Sequence, residues 1–142
     1  MKKELISMFM SIDKYLKKID KKLLESKLNY KKYIIGKSRN NKDIILFEIY
    51  NMDINAMFLG FPHPNEPLSQ IIINNVLDLA LEIQNGGNKK WMIIPVWDVD
   101  GAEINEKWWK KDDYTILDII KYWYRPSTLY AFFKQRRLNA NK

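Results

Sequence analysis

The chain has 142 residues, a hydrophobic fraction of 46% and an aromatic fraction of 13%, which is enough apolar material for one domain with a true core. It contains no cysteine, and this excludes disulfide frameworks, thiolate metal sites and cysteine nucleophiles. Its formal net charge is +7.

The positive charge is concentrated near both ends, in residues 14–22 and 134–142. An excess of positive charge of this kind is typical of a protein that binds nucleic acid or an anionic surface. It is also typical of helix faces that are exposed to solvent. Because the sequence contains no recognised nucleic-acid-binding motif, we expect solvated helix faces and no nucleic-acid partner.

The N-terminal segment does not have the pattern of a signal peptide. Glu4, Ser7, Ser11 and Asp13 interrupt the stretch that would have to be apolar. No apolar run approaches the roughly 18 residues that a membrane span needs. We therefore expect a cytoplasmic protein with no membrane partner.

The first part of the chain predicts a helix followed by a β-hairpin. Apolar residues recur at spacings of three and four through residues 3–28, with lysines between them, so an amphipathic helix is expected to pack on the domain. Residues 30–37 and 42–50 are rich in β-forming residues, and the turn cluster Ser38–Asn41 separates them. This pattern predicts two antiparallel strands.

The middle of the chain predicts a strand, a loop, a helix and a second strand. Residues 56–61 predict a buried strand, and the next six residues contain three prolines, which indicate a rigid loop. Residues 68–84 predict a mostly buried helix, and residues 91–97 predict another buried strand. This order is a βαβ unit, so we predict an α/β fold whose mixed sheet carries helices on its faces.

The last third of the chain is predicted to be turn and helix. Asp98–Gly101 predict a turn. Residues 113–124 predict a helix that ends before Pro126, and residues 128–137 predict a last short helix. The positions expected to face inward in the first of these helices are apolar: Ile116, Ile119, Ile120 and Trp123.

His63 and Glu66 are the candidate functional residues. Both lie in the proline-stiffened loop after the predicted strand 56–61, and ligands of open α/β sheets bind at the carboxyl ends of strands. Imidazole nitrogen and carboxylate oxygen are both good zinc ligands. Two hypotheses follow: the pair is part of a zinc site, or His63 is a surface or supporting histidine.

The loop and its surroundings resemble a known family. Residues 60–67, GFPHPNEP, are similar to the first zinc-ligand segment of the zinc carboxypeptidases related to carboxypeptidase A, which in one bacterial branch reads very like PHPNEP. Residues 35–44 resemble the hairpin of that family. Asn41 stands there where a glycine is usual, and Lys42 where an arginine is usual.

Three later segments extend the resemblance, which covers roughly residues 30–126. Residues 94–101, IPVWDVDG, resemble the family turn P-x-x-(N/D)-P-D-G, with Val99 in place of its second proline. Residues 105–108, NEKW, and residues 124–126, YRP, are similar to the segments that follow this turn in the bacterial branch.

The resemblance implies a metallocarboxypeptidase that hydrolyses C-terminal peptide or amide bonds. In the family, zinc is held by the residues matching His63 and Glu66 together with a later histidine, and a later glutamate is the general base. Arginines hold the substrate carboxylate.

Arg125 and Lys110 lie near where the family places these arginines, and surface charge is the alternative for both. We expect the side chains of Trp108 and Trp109 to pack in the core and at its rim, and the alternative is that they line a pocket.

The sequence also departs from the family pattern. His63 is the only histidine of the chain, so the later histidine ligand has no counterpart, and neither has the later glutamate base. The alternative third ligands are acidic residues near the turn: Asp98, Asp100 and Glu103.

We therefore expect a single domain that is the N-terminal portion, truncated or split, of a zinc carboxypeptidase-like domain. It comprises an amphipathic helix in residues 1–28, a family-like segment in residues 30–126 and a basic tail in residues 127–142. A sheet of this kind leaves an edge and apolar surface uncovered. The expected partners are thus a peptide or amide substrate and a complementary chain or second copy at that edge. The alternative function is a non-catalytic peptide- or protein-binding remnant of the fold.

Overall fold

The computed structural model describes residues 9–125 apart from residue 27 and residues 50–53 and 84–89. Four strands and four helices lie in this part of the chain. In order, they are α1 (Ile12–Glu25), β1 (Tyr30–Lys37), β2 (Asp43–Ile49), β3 (Ile54–Leu59), α2 (Ser69–Ile83), β4 (Lys90–Ile94), α3 (Val99–Trp109) and α4 (Ile116–Tyr122).

The four strands form one mixed sheet in the order β1-β2-β4-β3. β1 and β2 are the predicted antiparallel hairpin, and β2 also pairs antiparallel with β4. β3 and β4 run parallel, with α2 as the connection between them. The predicted α/β class, hairpin and βαβ unit are therefore confirmed.

The hairpin turn explains an unusual residue in the sequence. Asn41 has a φ of 61°, the left-handed conformation that glycine adopts without steric cost and that asparagine tolerates better than most residues. The Ser38 N–H closes the turn by donating to the Lys42 carbonyl at 2.8 Å. The asparagine at this position thus adopts the left-handed backbone conformation that would otherwise favour a glycine.

The core lies between the sheet and three of the helices. Residues of α1 at spacings of three and four (Ile12, Tyr15, Ile19 and Leu23) are buried together with residues of β2, α2, β4 and α3. Each buried side chain of this size contributes on the order of 1.5–3 kcal/mol through burial. Burial also raises the pKa of the Tyr15 phenol.

The N-terminus of α1 is held by residues that are distant in the sequence. Ser11 precedes α1 without a side-chain cap, and the Ile12 N–H donates instead to the Glu106 carboxylate at 2.8 Å. The Gln70 amide bonds both backbone groups of Met10, accepting from its N–H at 2.9 Å and donating to its carbonyl at 2.8 Å. α1 is therefore fixed to α2 and α3 by polar contacts as well as by packing.

Two elements predicted to be buried are partly exposed. β3 lies at the edge of the described sheet, and Met57 and Leu59 are 60% and 41% exposed. α2 leaves an apolar row uncovered: Leu68, just before the helix, with Ile72 and Leu79. The predicted burial of the strand 56–61 is wrong for Met57 and Leu59, and the predicted mostly buried helix has one apolar row exposed. Apolar composition does not show how many neighbours a strand or a helix has.

The predicted turn at Asp98–Gly101 is also wrong, since residues from Val99 onward begin α3. Asp98 is the residue before the helix, and its carboxylate accepts from the Gly101 N–H at 2.9 Å. Aspartate and glycine suggested a turn, whereas the aspartate is an N-cap, a position that aspartate also favours.

The last described helix is shorter than predicted and more exposed. α4 begins with a capping box in which the Thr115 and Asp118 side chains bond each other's backbone N–H groups. Ile116 and Ile120, which were expected to face inward, are 67% and 57% exposed. The predicted helix 128–137 lies outside the described residues. Within the described part of the chain, none of the helices has the length and apolar character needed to cross a bilayer.

Asn105 joins α3 to the segment that follows α4. Its side chain is fully buried, and its Nδ2 donates to the carbonyls of Gly101 and Tyr124, both at 2.8 Å. Its Oδ1 accepts from Trp108 Nε1 at 2.9 Å and from the Tyr124 N–H at 3.0 Å. All the hydrogen-bonding positions of the amide are used, which accounts for a polar residue in the core.

We predict that Asn105→Ala lowers the free energy of unfolding by about 3 kcal/mol, because it leaves buried backbone and indole groups without partners. Denaturant unfolding of the purified chain measures the change. Asn75→Ala, on the exposed face of α2, is the matched control and should change stability by less than about 0.5 kcal/mol. Equal effects of the two substitutions would contradict a special role for Asn105.

Candidate functional site

The loop that carries His63 and Glu66 begins where the parallel pair of strands ends. After β3 and β4, the Gly60 N–H donates to the Ile94 carbonyl at 2.8 Å, and the Trp97 N–H donates to the Gly60 carbonyl at 2.9 Å. These bonds continue the ladder past the last residues of both strands. The loop therefore leaves the sheet at the carboxyl ends of β3 and β4, where ligands of α/β sheets bind.

Gly60 allows two segments of the backbone, the loop entry and the residues after β4, to approach each other unusually closely. A Cβ on residue 60 would lie 2.1 Å from the Pro95 carbonyl oxygen and 2.9 Å from Cγ1 of Ile73. No side chain fits at such distances. The nearest obstructing atom is the backbone oxygen of Pro95, which cannot move aside as a flexible side chain could. The glycine is thus required by the close packing of the loop entry on the segment after β4.

A tight turn brings His63 and Glu66 into one short piece of backbone. The Glu66 N–H donates to the His63 carbonyl at 3.1 Å, and the Ser69 N–H donates to the Glu66 carbonyl at 3.2 Å as α2 begins. His63 is half-buried and Glu66 is exposed. Among the described residues, none forms a hydrogen bond or ion pair with either side chain, so both are available to a ligand.

The loop packs on the N-terminal end of α3. A Cβ added at Gly101 would lie 2.8 Å from Pro64 Cβ and 2.5 Å from Asp98 Oδ2, so only a glycine leaves room for the loop there. Burial raises the pKa of the Asp98 carboxyl, and the hydrogen bond from Gly101 offsets part of this effect. The segment GFPHPNEP and the segment WDVDG, which are about 35 residues apart, are thus adjacent in space.

The three acidic residues considered as a third metal ligand all have other structural contacts. Asp98 caps α3. Asp100 accepts from Ser38 Oγ at 2.8 Å and from the Asn40 N–H at 3.0 Å, which ties the hairpin turn to α3. Glu103 pairs with Lys42, and this hydrogen bond raises the pKa of the lysine.

The described residues therefore offer two zinc-type donors at the loop, without a third beside them. Nowhere in residues 9–125, within the parts described, do three histidine or acidic side chains form a group that could hold a metal ion. A catalytic zinc normally has three protein ligands. His63 and Glu66 are residues of zinc-ligand type, and the described residues place no third one beside them.

The other predicted site residues lie at separate places, at the C-terminus of α3 and in the segment after α4. Lys110 is exposed just beyond the C-terminus of α3, whereas the loop packs on the other end of that helix, about 16 Å away at 1.5 Å per residue. Arg125 is half-buried and follows Tyr124, which Asn105 fixes. Trp109 is buried in the core and Trp108 packs beside it, so the predicted core and rim packing of this pair is confirmed.

The residues that support the loop, rather than carry its chemistry, are not among the predicted site residues. These are Gly60, Phe61 and Gly101, whose importance depends on close approach or on backbone conformation. The sequence signals that could have identified the two glycines are their positions, one directly after a predicted strand and the other directly after Asp-Val-Asp.

The described part of the chain has a carboxypeptidase-like α/β fold. It is similar to the structure of bovine thrombin-activatable fibrinolysis inhibitor in complex with tick carboxypeptidase inhibitor, with a TM-score of 0.61 and 17% sequence identity over 76% of this chain. A crystal structure of thrombin-activatable fibrinolysis inhibitor is similar with a TM-score of 0.58 and 19% identity over 75% of this chain.

These similarities establish the fold. The chain spans only 36% and 29% of the two solved chains. Comparisons with protein-family models and with curated proteins give no match.

We predict that Gly60→Ala lowers the free energy of unfolding by about 3 kcal/mol, because the new methyl group overlaps the Pro95 carbonyl and the backbone must shift. The denaturation midpoint is the measurement. Gly36→Ala is the matched control, since a Cβ there meets only Ile44 Cδ1 at an ordinary 3.7 Å. A Gly60→Ala chain as stable as the Gly36→Ala chain would contradict the close approach.

Proposed function

We propose that the chain forms part of a zinc-dependent carboxypeptidase-type hydrolase in which His63 and Glu66 are two of the metal ligands. The observation that carries the proposal is the position of the loop: both residues lie in one turn at the carboxyl ends of parallel strands β3 and β4, within a carboxypeptidase-like fold. When zinc is bound, it supplies Lewis-acid chemistry at the substrate carbonyl.

The proposal requires donors from outside the described residues. Because His63 is the only histidine among the 142 residues, a later histidine ligand has to come from outside them. The general base is expected from the same source. The acidic residues nearest the loop already cap α3 or bind the hairpin, which argues against them as substitutes.

The edge strand β3 is the place where such polypeptide would join. β3 pairs with β4 on one side only within the described sheet, and its Met57 and Leu59 are largely exposed. The chain matches about a third of each solved neighbour, so most of their fold has no counterpart in it. A strand added along β3 would have one of its ends next to the loop, because β3 itself leads into it.

The proposed substrate is the C-terminal peptide or amide bond of a peptide. Of the two basic residues predicted to hold its carboxylate, Arg125 is better supported, since its segment is fixed against α3 by Asn105. Lys110 is exposed at the far end of α3 and would contribute through charge at a distance. A cytoplasmic location remains part of the proposal.

The exposed apolar residues of β3 and α2 favour a second candidate function, a non-catalytic peptide- or protein-binding remnant of the fold. Large uncovered apolar surface marks interaction sites. A neighbour with this fold, bovine thrombin-activatable fibrinolysis inhibitor, has been solved in complex with tick carboxypeptidase inhibitor.

Zinc titration of the purified chain by calorimetry tests the proposed site. We expect one zinc per chain, with the zinc affinity reduced at least about tenfold in His63→Ala and in Glu66→Gln. Substitution of residues that only hydrogen-bond to metal ligands already lowers metal affinity by about this factor. Glu82→Gln removes an exposed carboxylate from α2 and is the matched control.

Zinc affinity that is the same in all four proteins would contradict the metal site. The carboxypeptidase-like fold would then serve the binding function instead. Loss of zinc in Glu82→Gln as well would mean that the ion binds surface carboxylates without a site.

A further inference from the structure

Phe61 has a backbone conformation that its residue type rarely adopts. Its φ is 51°, in the left-handed region that is sterically unfavourable for a bulky side chain. The residue lies directly after Gly60 and two positions before His63, and its side chain is fully buried. A conformation of this kind persists only where the surroundings determine it, and such residues cluster at functional sites.

Two helices hold the Phe61 ring. The ring of Tyr15 in α1 meets it edge-on, with centroids 6.3 Å apart and an interplanar angle of 61°. The ring of Trp109 in α3 lies on it at 5.9 Å and 34°. Both neighbours are themselves buried, so the ring cannot turn away without opening the core.

The backbone on either side of Phe61 is fixed as well. Gly60 is held to the last residue of β4 and to the segment after it by the hydrogen bonds with Ile94 and Trp97, and Pro64 packs on Gly101. A strand that continued past Gly60 with a negative φ would carry the following residues in another direction. The positive φ is therefore the point at which the chain leaves β3 for the turn that contains His63.

We infer that Phe61 is a positioning residue, whose ring, clamped between Tyr15 and Trp109, sets the direction of the backbone that presents His63 and Glu66. The inference rests on the proposed zinc site for its functional meaning. Its structural content, that the Phe61 ring determines the environment of His63, can be tested without metal.

The test compares Phe61→Leu with Phe58→Leu in the full chain. Phe58 lies on β3 and stacks on Trp91 with centroids 5.5 Å apart, so the control removes a similar ring contact from the core without touching the loop. Because the chain has one histidine, its imidazole gives a single set of NMR signals that reports on the loop alone.

Both variants are expected to lose stability to a similar degree. Only Phe61→Leu should shift or split the His63 ring signals in the metal-free chain, and only Phe61→Leu should weaken zinc binding, by about tenfold. If Phe61→Leu does not fold, Phe61→Met, whose unbranched and flexible side chain adapts more easily to the space left by the ring, takes its place in the same comparison.

The inference is overturned if the His63 signals of Phe61→Leu match those of Phe58→Leu and of the wild-type chain. A wild-type chain that binds no zinc would remove the proposed function and leave this result unaffected, since the NMR comparison uses no metal. Shifted His63 signals with unchanged zinc affinity would also overturn the positioning role, because the altered loop would then bind as well as the native one.

Discussion

The close approach between Gly60 and the backbone of Pro95 is the constraint on which the candidate site depends. It continues the parallel ladder past the ends of β3 and β4 and leaves no space for a side chain. The loop must then turn within one residue, and Phe61 makes that turn in a left-handed conformation. The position of His63 is thus a consequence of backbone packing two and three residues earlier.

The N-terminal end of α3 is where several separate segments meet. Pro64 packs on Gly101, the hairpin turn is bonded to Asp100, and Lys42 pairs with Glu103. The acidic residues of this helix end are used to join segments of the fold. This explains why a region with three carboxylates next to the His63 loop offers no third donor to it, and why the proposed site depends on other polypeptide.

Much of the fold followed from sequence patterns, and the exceptions have physical reasons. The hairpin and the βαβ unit were predictable because β-forming runs, turn residues and helical periodicity agreed with one another. α3 was missed because its buried positions include Asn105, a polar residue whose burial depends on hydrogen bonds to Tyr124 and Trp108 that no local pattern reveals. The exposure of Met57 could not be predicted either, since an apolar strand has the same sequence pattern at the centre and at the edge of a sheet. The loop with His63 and Glu66 was found from its residue types, whereas the support from Phe61 depends on a dihedral angle.

The polar contact between Ile12 and Glu106 bears on how the chain folds. It closes a loop of 94 residues, and the contact between Met10 and Gln70 closes one of 60. Contacts between residues so far apart in sequence slow folding, because the entropy of closing the loop is lost before the contact forms. During synthesis, which proceeds from the N-terminus, the first turn of α1 has no partner for its amide until α3 has been made. The first of the described helices thus depends for this contact on one of the later ones.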